Sequence, residues 1–127
     1  LSAGFGVDAG LSYPDYLQKE IDAAGLSYRV VSLGISGDTT SGGLARISSA
    51  IELKPKFVLL ELGGNDGLRG TPLAETRRNM EEMTAQLMAA QIRVIIVGMT
   101  LPKNYGPDYI REFELFFAET ARKDLLP

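Results

Sequence analysis

The residues able to do chemistry in this sequence gather in two short glycine-rich runs. One is Ser36-Gly37-Asp38-Thr39 and the other is Gly63-Gly64-Asn65-Asp66. Both mix side chains that donate or accept hydrogen bonds with glycines that let a ligand come close to backbone N–H groups. Each run can also be an ordinary turn, the first leading into a helix cap. Asp38 and Asp66 raise the question of acid–base or metal chemistry. An exposed aspartate is a weak base at neutral pH. No histidine or third carboxylate stands near in sequence to complete a hard-cation site. The expected role of both is local, accepting hydrogen bonds from loop amides. Residues 34–43 (GISGDTTSGG) could be pictured cradling phosphate, but they lack the Gly-Lys-Ser/Thr ending of a phosphate-binding loop. Arg69, just after the second run, either meets a substrate or faces solvent.

Absences narrow the chemistry further. The 127 residues include no cysteine and no histidine. Disulfides, thiolate catalysis and thiolate zinc sites are therefore excluded. The usual general base and commonest transition-metal ligand are missing too. Net charge is −3, and the thirteen basic residues are spread along the chain. That opposes a nucleic-acid surface, which needs clustered Lys and Arg. The longest apolar runs, 57–60 and 94–99, fall far short of the ~18 residues of a membrane span. The sequence opens without Met and without a basic, apolar leader, and an excerpt from a longer chain is expected.

The elements that must position the two runs can be read from periodicity. Ser12 before Pro14 reads as a helix start. Tyr13, Leu17, Ile21 and Ala24 recur at helical spacing, and Gly25 suits the end. Residues 28–33 (YRVVSL) read as a strand. After the loop 34–43 comes a helix with Leu44, Ile47 and Ile51 on one face, ended by Lys54-Pro55-Lys56. Residues 57–62 read as a second strand and 63–71 as a second glycine-rich loop. Thr71-Pro72 opens a helix whose stripe is Leu73, Thr76, Met80, Met83, Leu87 and Ala90. Residues 94–99 read as a third strand, apolar on both faces, and 101–107 as a loop. Residues 108–123 read as a helix with Tyr109, Phe113, Phe116 and Phe117 inside, and Leu125-Leu126-Pro127 as the start of another strand. Met80, Met83, Met88 and the three phenylalanines are expected in the core. Strands alternating with helices predict one α/β domain over residues 1–127, with a parallel sheet covered on both sides. Ligands of such sheets bind beyond the carboxyl ends of the strands, where the loops 34–43, 63–71 and 101–107 converge.

The residues on that rim resemble those of the SGNH hydrolases, also called GDSL esterases, and most of all the arylesterase, thioesterase I and lysophospholipase L1 group. Ser36-Gly37-Asp38-Thr39 is similar to the family's second motif block, and Gly63-Gly64-Asn65-Asp66 to its third. Leu1-Ser2-Ala3-Gly4-Phe5-Gly6 is similar to the segment directly after the family's first block. Leu101-Pro102 with Asn104-Tyr105-Gly106 is similar to a loop that shapes the substrate pocket. The likeness runs nearly end to end, and ELGGNDGLRG over residues 61–70 is highly specific. It implies that Gly37, by its backbone N–H, and Asn65, by its side-chain amide, are catalytic oxyanion donors. It implies substrate-binding roles for Gly64, Leu68, Arg69, Leu101, Asn104 and Tyr105. The family's nucleophilic serine and its Asp-x-x-His block have no counterpart here. Ser2 aligns with a second, non-catalytic serine.

The resemblance implies a three-layer α/β/α, flavodoxin-like parallel sheet, the SGNH hydrolase fold, incomplete at both ends. It implies hydrolysis of a small acyl ester or thioester through a serine acyl-enzyme, with no cofactor or metal, in a periplasmic or secreted bacterial protein. The alternative is a non-catalytic relative that binds an acyl or sugar ligand on the same rim. The family's strand order, 2-1-3-4-5, places the strand before the nucleophile inside the sheet. The 127 residues alone are therefore expected to fold poorly, with unpaired strand edges, and to turn over no ester.

Overall fold

A computed structural model describes residues 2–124. Leu125-Leu126-Pro127, expected to begin a strand, lies outside the described residues. By packing the chain divides into two units, Leu1–Asp38 and Thr39–Pro127.

Among its described residues the first unit contains one helix, α1 (Tyr13–Ala23), with Ser12 at its N-cap and Pro14 in its first turn. The Asp15 carboxylate reaches back to accept from the Ser12 N–H (2.9 Å) and hydroxyl (2.5 Å), tying the first turn shut. Gly25, just past the C-cap Ala24, has φ +68°, the left-handed conformation that closes a helix end. Residues 28–33 are not a strand but irregular backbone. Gln18 supplies the bonds a ladder would otherwise supply. Its Oε1 accepts from Val30 N–H at 2.6 Å, and its Nε2 donates to the Tyr28 carbonyl at 3.1 Å. β-propensity measures fitness for a ladder, and among the described residues 2–38 there is no strand to build one with.

The second unit holds α2 (Thr40–Ala45), α3 (Ile47–Glu52), β1 (Phe57–Leu60), α4 (Gly64–Arg69), α5 (Leu73–Ala89), β2 (Arg93–Ile96), a 3₁₀ turn (Lys103–Tyr105) and α6 (Pro107–Lys123). The helix expected after the first glycine-rich loop is broken in two at Arg46, which leaves helical geometry at φ −121°, ψ 13°. The loop expected at 63–71 contains the short helix α4. β1 and β2 pair in parallel, Phe57 opposite Arg93 through Leu60 opposite Ile96. The connection through helix makes this an α/β arrangement.

One face of the pair carries Val58, Leu60, Val94 and Ile96 into a core built with Met80, Met83 and Leu87 of α5 and Phe113, Phe116 and Phe117 of α6. Phe113 meets Phe116 and Phe117 edge to face, at centroid distances of 5.6 and 5.2 Å. Burying one such ring contributes about 1.5–3 kcal/mol. Two ion pairs, Arg77–Glu119 (2.7 Å) and Lys123–Glu81 (3.0 Å), lace α5 to α6 at the surface. The other face of the strand pair departs from the expected double burial. Phe57 is 37% exposed and Leu59 38%, and the Arg93 guanidinium lies over the Phe57 ring. Met88 also leaves the expected core. It stands exposed at the end of α5, off the stripe formed by Met80, Met83 and Leu87. No helix among the described residues is long and apolar enough to cross a membrane.

Candidate active site

The turn after β1 is built by its glycines. Gly63, with φ +108°, reverses the chain into α4, and Gly70, with φ +68°, ends it. Glycine is a poor helix former, which is why the run reads as a loop. Here glycine is needed for close approach instead. A Cβ on Gly64 would lie 2.7 Å from Met99 Sδ, and one on Gly67 would lie 2.7 Å from the Phe113 ring and 2.8 Å from Leu101. α4 thus lies close against the core, most tightly at Gly67, where a side chain would collide with buried Phe113 and Leu101. Its last turn is closed by the Thr71 N–H, which donates to the Asp66 carbonyl at 2.9 Å.

Asp66 is 1% exposed. Both its carboxylate oxygens are taken by Thr40 of α2. The Thr40 N–H donates to Oδ2 at 2.9 Å, and its hydroxyl donates to Oδ1 at 2.6 Å. Asn79 of α5 then donates its Nδ2 to the Thr40 hydroxyl at 3.1 Å. The local, amide-bonding role expected of Asp66 is what the geometry gives, but the partner comes from another element. Nothing in the spacing of Asp66, Thr40 and Asn79 announces the triplet. Asn79 lies on α5, where its burial singles it out.

Asn65 is half-buried on α4 between the glycine that meets Met99 and the aspartate that holds Thr40. The 3₁₀ turn comes onto the same helix, where the Tyr105 hydroxyl donates to the Leu68 carbonyl at 2.8 Å. The second unit therefore brings together Gly64, Asn65, Leu68, Arg69, Leu101 and Tyr105. Leu68, Arg69 and Asn104 are exposed, whereas Leu101 is buried beneath Gly67. Tyr109, read from the sequence as part of a helix stripe, adds a phenol with a buried hydroxyl. Burial pushes its pKa up from 10.0, and the nearby Tyr105 phenol and Asp66 carboxylate push the same way. Gly37 belongs to the first unit. It sits in a turn at φ +77°, closed by the Asp38 N–H donating to the Ile35 carbonyl at 3.2 Å.

The profile of the GDSL-like lipase/acylhydrolase family matches residues 1–124. The chain belongs to this family. Esterase TesA of Pseudomonas aeruginosa is 42% identical over 125 residues, spanning 98% of the chain and 62% of that protein. Thioesterase 1/protease 1/lysophospholipase L1 of Escherichia coli K12 is 34% identical over 128 residues, spanning all of the chain and 60% of that protein. The chain thus spans about three fifths of the length of these GDSL-like relatives. The crystal structure of AlinE4, an SGNH-hydrolase family esterase, superposes with a TM-score of 0.94 at 39% identity, covering 99% of the chain and 68% of that structure. The fold is the expected SGNH hydrolase α/β fold, even though only two of the three expected strands are formed.

Proposed function

We propose that these residues belong to a serine hydrolase of carboxylic esters or thioesters, and that they supply its oxyanion donors. The Gly37 backbone N–H and the Asn65 side-chain amide donate to the oxygen that becomes negative as a serine hydroxyl adds to the substrate carbonyl. Fixed donors of this kind stabilise the transition state without reorganising during the reaction. The nucleophilic serine, the base histidine and its orienting aspartate come from segments outside the 127 residues, and residues 1–127 form part of one domain with them. Gly64, Leu68, Arg69, Leu101, Asn104 and Tyr105 line or support the acyl pocket. No cofactor or metal takes part. The relatives come from bacteria, and a periplasmic or secreted location fits the reading.

The observation that carries this reading is the setting of Asn65. It stands on a turn clamped to the core by Gly64, Asp66 and Gly67, as an oxyanion donor requires and an ordinary surface turn does not. The test is kinetic. The full-length protein should hydrolyse a p-nitrophenyl acyl ester and be labelled covalently by a fluorophosphonate. Asn65→Ala should lower kcat on the order of 10²–10³-fold. The 127-residue chain alone should do neither. Absence of labelling and turnover in the full-length protein would sink the proposal.

A further inference from the structure

The proposed reaction uses Asn65 and leaves the buried polar group next to it without a role. Asp66, Thr40 and Asn79 are 1%, 0% and 6% exposed and come from α4, α2 and α5. Burying a carboxylate is costly unless it is fully hydrogen-bonded. A leucine at 66 would fill a core without that cost. What the carboxylate adds is direction. Gly64 and Gly67 hold α4 close against Met99, Leu101 and Phe113, but apolar contacts are non-directional and do not by themselves fix its rotation. A bidentate grip on Thr40 fixes that rotation. α4 has six residues, too few to hold its geometry unaided.

The polarity of the three bonds is also settled. The Thr40 hydroxyl has one proton and spends it on Asp66 Oδ1, so it meets Asn79 as an acceptor, and the amide nitrogen is the group that faces it. The order is amide to hydroxyl to carboxylate, with every member in one orientation.

We propose that Asp66, Thr40 and Asn79 form a positioning network that aims the Asn65 amide, setting the rate of ester hydrolysis without touching substrate. This rests on the reading of Asn65 as an oxyanion donor. A donor displaced by about 1 Å can cost up to 10²-fold in rate, so a small rotation of α4 suffices. Thr40 and Asn79 are positioning residues, and their effect must travel through Asn65.

A double-mutant cycle in the full-length protein tests this. Thr40→Val keeps the shape and the backbone N–H but removes the hydroxyl. It should lower kcat about tenfold with KM changed less than about twofold, the pattern of a lost transition-state interaction. Thr40→Ser should recover most of that kcat. Asn79→Ala should cost severalfold. In an Asn65→Ala background, Thr40→Val and Asn79→Ala should have no further effect on kcat, because the group they aim is gone. A network that only holds the fold would lower activity in both backgrounds alike, in step with the melting temperature. That result, or an unchanged kcat in Thr40→Val, overturns the positioning role while the oxyanion reading stands. If Asn65→Ala itself leaves kcat intact, the oxyanion reading falls and this proposal falls with it. Should Thr40→Val fail to fold, the cycle is read from Asn79→Ala and Thr40→Ser.

Discussion

The two units of the chain have the same kind of sequence and opposite kinds of interior. α1 in the first unit carries an apolar stripe of Tyr13, Leu17 and Ile21, yet none of its residues is buried. α6 in the second carries Phe113, Phe116 and Phe117, which are 0%, 0% and 4% exposed. In the first unit no described residue is buried at all, and Phe5 is 85% exposed. Polar bonds tie it together: Gln18 to Val30 and Tyr28, Lys19 to the Gly10 carbonyl, Ser32 to the Ser2 carbonyl. Such bonds net about 0.5–1.5 kcal/mol each, and less where water competes. An amphipathic stripe states what a helix can bury. Whether it does so depends on a complementary face, which one unit contains and the other does not.

The sharpest break in that comparison is a matched pair of truncations in the 127-residue chain, to which these exposures belong. Phe113→Ala should cost about 3–5 kcal/mol, since it opens a cavity between α4, α6 and the strand pair. Leu17→Ala, on half-buried α1, should cost less than about 1 kcal/mol. Urea unfolding with an unchanged m-value measures both. Equal losses would show that α1 is packed as tightly as α6. Next in size is a pair of glycines. A Cβ on Gly43 would collide with Leu62 Cδ1 and lie 3.3 Å from Met83 Sδ. Gly43→Ala should therefore overpack the core and cost about 1–3 kcal/mol. Gly10 has open space around it but φ +84°, so Gly10→Ala should cost only the left-handed strain of one residue, about 1 kcal/mol. A larger loss at Gly10 than at Gly43 would reverse the ranking of the two units.

The same contrast explains how much was legible in the sequence. Patterns that need only local spacing survived. α5 and α6 fall within a residue or two of their periodic stripes, with Thr76, Met80, Met83 and Leu87 buried as the stripe demands. Patterns that need a distant partner did not. Residues 28–33 have strand composition but no ladder within their unit, and Phe57 and Leu59 have apolar side chains but an exposed face. At the site, the motif Gly63-Gly64-Asn65-Asp66 stood out by type and spacing. The helix inside it was hidden because its glycines serve close packing, not flexibility. Thr40, which bonds Asp66, and Asn79, which bonds Thr40, lie 26 and 13 positions from Asp66 in opposite directions along the chain. Such a pairing is a property of the fold and leaves no periodic trace.

The smallest effect expected belongs to the polar glue of the first unit, and it is read by pH. The Ser12 hydroxyl and then the Ser12 N–H donate to Asp15, and with a further contribution from the Lys19 ammonium they hold its carboxyl below the ordinary 3.8 against a small opposing effect of burial. A carboxylate whose pKa is depressed on folding stabilises the folded state above its unfolded value, and that stability is lost as pH falls through the folded value. The start of α1 should therefore be intact above pH 3.8 and loosen only in more acid solution. Ser12→Ala removes the largest contribution but keeps the backbone N–H. Asp15 should then titrate closer to 3.8, narrowing the acid window over which the first turn of α1 comes apart. Carboxyl NMR titration of Asp15 in both proteins checks this. An unshifted Asp15 would mean that the hydroxyl bond is not formed in solution, leaving the first unit with even less to hold it than its exposed side chains suggest. A clear shift would show that the Ser12 hydroxyl bond is formed in solution and helps to close the first turn of α1.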